Sequence, residues 1–407
     1  VSSDQRTPRA RLTILFLTVF ADLVGFGIVL PLLPFYADRF GASGLVIGLL
    51  VMVYSLAQLF MAPLWGRLSD RFGRRPILLV GLLSSALSYL VFAYAGSLLV
   101  LFASRIMAGL GGATVPVAQA YIADITPPER RAGNMGLVGA AFGLGFIFGP
   151  AIGGWLAPVS PAAPGLAAAA LCLTNAVLAW FFLPESISAG ERARRGQRRQ
   201  SLQKALHVAL HSPGVLRLLG LSFFFTMAFS AMQPTFPLFG AARFGLDERT
   251  VGYLFAFLGL ISAVVQGGLV RRLVPRFGEV AVIRFSGGPF ILGLVLIAWA
   301  PSVGVLLFAL ALLAIGFGGT LPSVVSLLSR VAPPELQGGI LGLGQSVGAA
   351  ARVGGPILAG LTFDRLGMAW PYLAGAMLAT IALGASFTLR PPRDAASAPS
   401  PVSHAPL

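Results

Sequence analysis

Residues 126–137 read TPPERRAGNMGL, and residues 332–343 read APPELQGGILGL. One pattern therefore recurs at an offset of 206 residues, which also carries Pro116 to Pro322, Gly149-Pro150 to Gly355-Pro356 and Gly154 to Gly360. A weaker echo joins the Arg-Phe-Gly of 71–73 to that of 276–278. Self-similarity at a fixed long offset means two copies of one structural plan. Six apolar runs, at about 12–36, 44–65, 76–95, 97–121, 132–156 and 163–183, precede a polar stretch. Six more, at about 213–239, 249–270, 280–300, 303–329, 337–363 and 369–389, follow it. Each run is near the length of about 20 apolar residues that a membrane-crossing helix needs. The expectation is an all-α integral membrane protein with twelve transmembrane helices in two pseudo-symmetric six-helix bundles, residues 1–183 and 213–390. A basic linker, 184–212, joins them, and a Pro/Ala/Ser-rich tail, 391–407, reads as disordered.

Composition agrees. The chain has 407 residues, 56% hydrophobic and only 11% charged, with a mean hydropathy of +0.84. A soluble domain carries about 25% charged residues, so a water-soluble enzyme is excluded. The single cysteine, Cys172, allows neither an intrachain disulfide nor a Cys-based metal site. His207, His211 and His404 all lie outside the apolar runs, which argues against histidine catalysis or metal binding within the membrane. No GxxxxGK[ST] phosphate loop is present. The reading is thus of a protein that is no enzyme and needs no cofactor, a monomer whose work is driven by an ion gradient. The first run is longer than a signal-peptide core of roughly 7–15 residues and contains Asp22, so it reads as a retained span.

A net charge of +15 raises the question of nucleic acid, but the charges sit between apolar runs and mark membrane topology instead. With the N-terminus in the cytoplasm, that side holds Arg6, Arg9, Arg11, Arg67, Arg71, Arg74, Arg75, Arg130 and Arg131. It also holds the linker cluster from Arg192 to Arg217, and later Arg271, Arg272, Arg276, Arg284, Arg330, Arg390 and Arg393. Only Arg39, Arg243, Arg249 and Arg365 fall on the other side. Positive residues stay cytoplasmic, which places both termini and the linker inside. The linker reads as a topogenic basic loop ending in an amphipathic helix on anionic lipid.

Three motifs carry a mechanism. Between spans 2 and 3 stand Gly66, Asp70, Arg71, Gly73, Arg74, Arg75 and Pro76. Here Pro76 suits a first helical turn, Asp70 suits a helix N-terminus, and Gly66 and Gly73 permit tight turns. In the second half Arg271 and Pro275 replace the first Gly and the Asp, so the copy has decayed. In span 5, Gly145, Gly149 and Gly153 repeat every four residues beside Pro150 and Gly154. That spacing lets backbones touch, and the proline bends the helix, giving a tightly packed helix suited to gating. Thr126 and Glu129 form a capping-box pattern before span 5.

Asp22, Arg105 and Arg352 lie well inside spans. Each costs about 2.5–3.5 kcal/mol at a helix centre, so each needs a reason. One reading is a structural ion pair that locks helices; the other is a functional cavity. Asp22 is the one acid near mid-membrane and the expected proton-coupling group, with Arg105 coupled to it without a firm salt bridge. Arg352 could meet an anionic substrate, a phospholipid headgroup or a carboxyl. Tyr54, Gln58, Phe225, Phe229, Gln233 and Phe257 are further cavity expectations.

Together the loop GRLSDRFGRRP, the run Arg105-Ile-Met-Ala-Gly109 and the span-5 GxxxGPxxGG resemble the major facilitator superfamily, in particular its twelve-span drug–proton antiporters. Span 1, from Asp22 through Gly25, Gly27 and Pro31 to Pro34, is similar to the tetracycline-efflux branch, as is Ile122-Ala-Asp124 with the loop after it. The resemblance implies a bacterial inner-membrane transporter that exports small hydrophobic compounds in exchange for protons by alternating access. It also implies that Asp70, Arg71, Arg74 and Arg75 brace the cytoplasmic side closed. Where the tetracycline pumps carry an acid in span 3 and a histidine in span 8, this chain has Ser88 and Ser262, with Gln266 retained. Those departures argue against tetracycline as substrate. A proton-coupled importer of sugar, organic acid or osmolyte is the alternative. An intramembrane enzyme or a sensor fits less well, for want of a catalytic constellation or a signalling domain.

Overall fold

A computed structural model describes residues 8–112, 114–186, 201–333 and 336–389. The expectations for Arg6, for the linker arginines up to Arg199 and for the tail lie outside the described residues, as does the side chain of Glu129.

The first half comprises α1 (Pro8–Val29), α2 (Leu33–Asp38), α3 (Gly44–Phe72), α4 (Arg74–Ala93), α5 (Leu98–Leu110), α6 (Thr114–Ile125), α7 (Pro128–Leu156) and α8 (Ala163–Phe182). Then come α9 (Ser201–His211), α10 (Pro213–Phe244), α11 (Glu248–Val264), a π-helical segment (Val265–Val270), α12 (Arg271–Trp299), α13 (Val303–Val331), α14 (Gln337–Leu366) and α15 (Trp370–Ser386). Nine helical stretches among the described residues are long and apolar enough to cross a membrane, and one of them, Glu248–Trp299, runs for 52 residues. At about 1.5 Å per residue that stretch exceeds two crossings of a hydrocarbon core of about 30 Å. It folds back at Gly278, where φ is 78° and ψ 161°.

Caps follow local chemistry. Ser43, Ser97 and Ser302 accept from the backbone N–H three residues on and start α3, α5 and α13. Asp247 does the same for Thr250 at the start of α11, at 2.9 Å. Its bonds from the Thr250 side chain and amide hold its pKa below the usual carboxylate value. The capping box expected at Thr126 and Glu129 depends on a side chain outside the described residues. Helix α7 starts at Pro128 with Pro127 at the N-cap, and the Thr126 hydroxyl accepts from Asn134 at 3.2 Å.

The repeat has a three-dimensional counterpart. Helix α1 lies on α7 as α10 lies on α14, and α4 on α8 as α12 on α15. A β-carbon at Gly149 would stand 2.6 Å from the Gly27 Cα, and one at Gly355 would stand 2.6 Å from the Met227 carbonyl. The halves join along two seams of matching design, α7 on α11 and α14 on α3. Gly252 faces the Pro150 carbonyl in one and Gly48 faces the Pro356 carbonyl in the other. Apolar cores fill each half, the second around Phe225, Phe236, Phe239, Phe290 and Tyr372.

One face of the bundle carries the basic loops, at Gly73, Gly278 and the start of α10; the far face carries the loops at Arg39, Gly245 and Gly367. At the far face both seams are shut. Near the basic face, a β-carbon at Gly66, Gly136, Gly139, Gly267, Gly268, Gly338 or Gly342 would meet nothing within 4 Å. These glycines sit on the basic-face ends of the same seam helices. The halves therefore splay apart toward the basic face and leave a cleft there.

Candidate functional site

Helix α1 brings Asp22 to mid-span, beside Ser85 of α4 and Thr114 of α6. Its Oδ1 and the Thr114 Oγ1 are both buried without a hydrogen-bond partner. Arg105, on α5, is 3% exposed. Its Nε donates to Ser104 Oγ at 3.3 Å, and its guanidinium lies 5.3 Å from the Phe92 ring centroid and 5.9 Å from that of Tyr89. Its Nη2 is buried without a partner. Among the described residues no ion pair joins Asp22 to Arg105.

Tyr54 of α3 lies within electrostatic reach of Asp22, Arg105 and Arg352. Its hydroxyl accepts from Gln58 Nε2 at 3.4 Å. Its ring is 5.2 Å from that of Phe26, which in turn is 6.3 Å from Phe146. Arg352 approaches from the other half on α14. Its Nη1 passes 3.6 Å from where a β-carbon at Gly348 would be, and among the described residues it has no acidic partner. The site thus holds one carboxyl and two guanidiniums, none in a salt bridge among the described residues, at a depth that makes such groups costly.

Of the other expected cavity residues, Phe225 and Phe229 turn into the core of the second half. Phe225 is fully buried and packs edge-on against Phe290 at 5.5 Å, in the core of the second half rather than the cleft. Phe229 is 8% exposed and stacked on Phe317 at 3.9 Å. Both turn inward because α10 is enclosed by α13, α14 and α15. Phe257 is half-buried against the same core, and Gln233 is half-buried on α10. Ser85, Thr114, Phe26 and Phe146 were missing from the sequence reading. The two hydroxyls were detectable as polar residues inside apolar runs.

At the basic face, Gly73 makes the turn, with φ 106° and ψ 158°. Gly66 makes none; it lies inside α3. Asp70 does not cap α4. The carboxylate of Glu185 does, accepting from the amides of Arg74 at 2.9 Å and Arg75 at 3.3 Å. Asp70 instead pairs with Arg74 at 2.6 Å. Arg74 is buried, bonded to Asp124 at 3.0 Å and to Ser69 Oγ at 2.5 Å. Arg75 donates to the Trp180 carbonyl, and Arg71 lies over its neighbour Phe72. All these partners belong to the first half, so among the described residues no ion pair of this motif reaches across the cleft.

The supposedly decayed copy keeps the same design with its charges exchanged. Gly278 repeats the Gly73 turn. The next residue, Glu279, is buried and pairs with Arg330 at 2.9 Å, and it accepts from Ser326 at 3.0 Å. Arg330 lies 206 positions beyond Asp124. Span 5 packs as its spacing suggests: Gly145, Gly149 and Gly153 abut Leu23, Gly27 and Ile28 of α1, while Gly154 abuts Arg249 and Gly252 of α11.

Among the described residues, two polar links hold the halves at the far face. The Asp364 carboxylate, on α14, accepts from the amides of Gly44 at 2.8 Å and Leu45 at 2.9 Å. Arg39 pairs with Glu248 at 2.6 Å.

Known proteins share this layout. The class C tetracycline resistance protein of Escherichia coli is 34% identical over 90% of this chain and 94% of its own length. Multidrug resistance protein 2 of Bacillus subtilis is 30% identical over 95% and 96%. Among solved structures, the human organic anion transporter MFSD10 (TETRAN) superposes with a TM-score of 0.70 at 26% identity, over 94% of this chain and 100% of that one. An inward-facing, occupied bacterial homologue of the human lysosomal transporter Spinster superposes with a TM-score of 0.77 at 15% identity, over 92% and 95%, and supports the fold alone. A sequence profile of the Major Facilitator Superfamily matches residues 15–353 and again 272–407. With two halves of one plan, charges at mid-span and relatives matched nearly end to end, the chain belongs to the major facilitator superfamily of membrane transport proteins.

Proposed function

We propose that the protein is a proton-coupled antiporter that expels small amphiphilic compounds, working by alternating access. The observation that carries this reading is Asp22, a mid-span carboxyl with a buried, unpartnered Oδ1 and, among the described residues, no cation paired with it. A group tied into a salt bridge would hold its charge; an unpaired one is free to exchange a proton for a cationic group. The basic face is then cytoplasmic, since positive loops stay inside, and the splayed conformation is the one that receives substrate from the cytoplasm. A proton arriving from outside discharges Asp22 and releases the substrate. Arg105, fixed beneath Tyr89 and Phe92, supplies a standing positive field. The efflux direction is supported by relatives named for tetracycline and multidrug resistance. Ser88 and Ser262 speak against tetracycline itself.

The test is uptake of dyes and drugs into inverted vesicles with and without a pH gradient. Uptake should collapse with the gradient, and Asp22→Asn should abolish gradient-driven exchange. Full-rate exchange in that variant, or uptake indifferent to the gradient, would overturn the reading.

A further inference from the structure

We propose that the substrate is a zwitterionic aromatic amphiphile, its cationic end on Asp22 in the first half and its anionic end on Arg352 in the second. The inference rests on the antiport reading and names the chemistry of the same site.

The site's charges motivate it. Arg352 lies at mid-span, half-buried, with no acid beside it among the described residues. Arg105 also leaves Nη2 unsatisfied. A buried guanidinium without a counter-ion is expensive, so the resting cleft is short of negative charge. A purely cationic substrate would satisfy Asp22 and worsen that deficit. A purely anionic one would satisfy Arg352, but protonating Asp22 would then tighten its binding, which is the wrong sign for exchange. Opposite charges on one molecule remove both conflicts: the proton displaces the cationic end, and the guanidinium keeps the anionic end paired until then.

The geometry agrees. Tyr54 lies within electrostatic reach of both groups, and the rings of Phe26, Tyr54 and Phe146 form an aromatic wall for the body of the molecule. Arg105 is held by Ser104 and two rings, so Arg352, half-buried on a long stem, is the arginine that reaches. Because its two contacts lie on different halves, such a substrate interacts differently with the splayed and closed arrangements, which is the requirement for a ligand to shift a conformational equilibrium. A phospholipid headgroup with ammonium and phosphate offers the same chemistry, and the test separates the two.

The test is competition binding on the purified protein in nanodiscs, without any gradient. Three naphthylmethyl probes share one ring system and carry permanent charges: a sulfobetaine, a trimethylammonium and a sulfonate. The native protein should bind the sulfobetaine about tenfold or more tighter than either singly charged probe. Arg352→Gln should erase its advantage over the cation, Arg352→Lys should keep part of it, and Asp22→Asn should erase its advantage over the anion. Equal binding of all three probes by the native protein, or a preference for either singly charged one, would sink the proposal without any variant having to fold. Nanodiscs of phosphatidylethanolamine and of phosphatidylglycerol should give the same sulfobetaine affinity; its loss in phosphatidylethanolamine alone would make the occupant a lipid and overturn the proposal. A sulfobetaine preference with no gradient-driven transport would leave this inference standing and remove the antiport reading. Gradient-driven export of the cation alone would do the reverse.

Discussion

The carboxylate of Asp364 caps α3 across the molecule, accepting from the Gly44 amide at 2.8 Å although the two residues lie 320 positions apart in different halves. A helix start of one half is thus completed by the other. Hydrogen bonds to a charged acceptor contribute about 1.5–3 kcal/mol. Asp364→Ala should therefore shift the population toward opening at the far face. The measurement is a spin–spin distance between Gly96→Cys and Met368→Cys, which sit in far-face loops of opposite halves. The buried Cys172 would escape labelling. An unchanged distance distribution would count against the cap as a gate element.

Arg39 and Glu248 make the second far-face link, at 2.6 Å, but half in solvent. Exposed pairs yield about 0.2–1 kcal/mol and are screened by salt. A double-mutant cycle on the same distance readout should give a coupling in that range at low salt, fading at high salt. A coupling above that of Asp364 would reverse the assigned order of importance.

Gly48 and Gly66 lie on one helix and predict opposite outcomes. A β-carbon at Gly48 would strike the Pro356 carbonyl, whereas one at Gly66 meets nothing within 4 Å. Gly48→Ala should prevent far-face closure and lengthen the spin–spin distance. Gly66→Ala should leave both that distance and the melting temperature of this conformation unchanged.

The Arg74–Asp124 pair is buried on both sides. Asp124→Asn leaves Arg74 with the half-exposed Asp70 as its carboxylate partner and should cost about 1–3 kcal/mol of stability, read as a lower melting temperature in detergent. Exchanging the charges, Arg74→Glu with Asp124→Arg, should recover much of that loss, because Glu279 and Arg330 already use the exchanged order in the second half. Failure of the exchange to recover any stability would mean that Asp70 and Ser69 are indispensable to the first half's version.

Asp247 offers a pH test outside the membrane. Its folded pKa is depressed through its bonds with Thr250, so its stabilisation is fully present above the ordinary carboxylate value, about 3.9, and is lost as pH falls through the lower folded value. Asp247→Ala should cost about 1 kcal/mol at neutral pH and nothing in strong acid. A penalty independent of pH would assign the effect to packing instead.

Much of the architecture was legible because membrane spans and a long-offset repeat are written in composition. Span ends were less so. Helix α3 runs on to Phe72, past the apolar run ending near residue 65, because its last turns project beyond the apolar stretch. Span 4 breaks between Leu110 and Thr114, where Gly111 and Gly112 gave a visible hint. The Glu185 cap was hidden, since 111 residues separate it from Arg74 and nothing local marks it. The charge-exchanged pair was masked by a one-residue slip: Arg330 matches Asp124 at offset 206, while Glu279 follows Arg74 at 205. Depth along a helix was readable, but direction was not. Phe225 and Tyr54 look alike as aromatics in apolar runs, and only the neighbouring helices sent one into the core and the other to the charges.

The glycine seams between the halves have a kinetic meaning. Backbone lies against backbone at Gly48, Gly154, Gly252 and Gly360, so parting the halves there withdraws no side chain from a socket and frees no rotamers. Such a surface works as a smooth bearing. Resistance to turning is concentrated in the few polar clasps at the rim, at Asp364 and at Arg39 with Glu248. In the alternating-access cycle proposed above, single substitutions at the water's edge should adjust the speed, with the bearing itself left untouched.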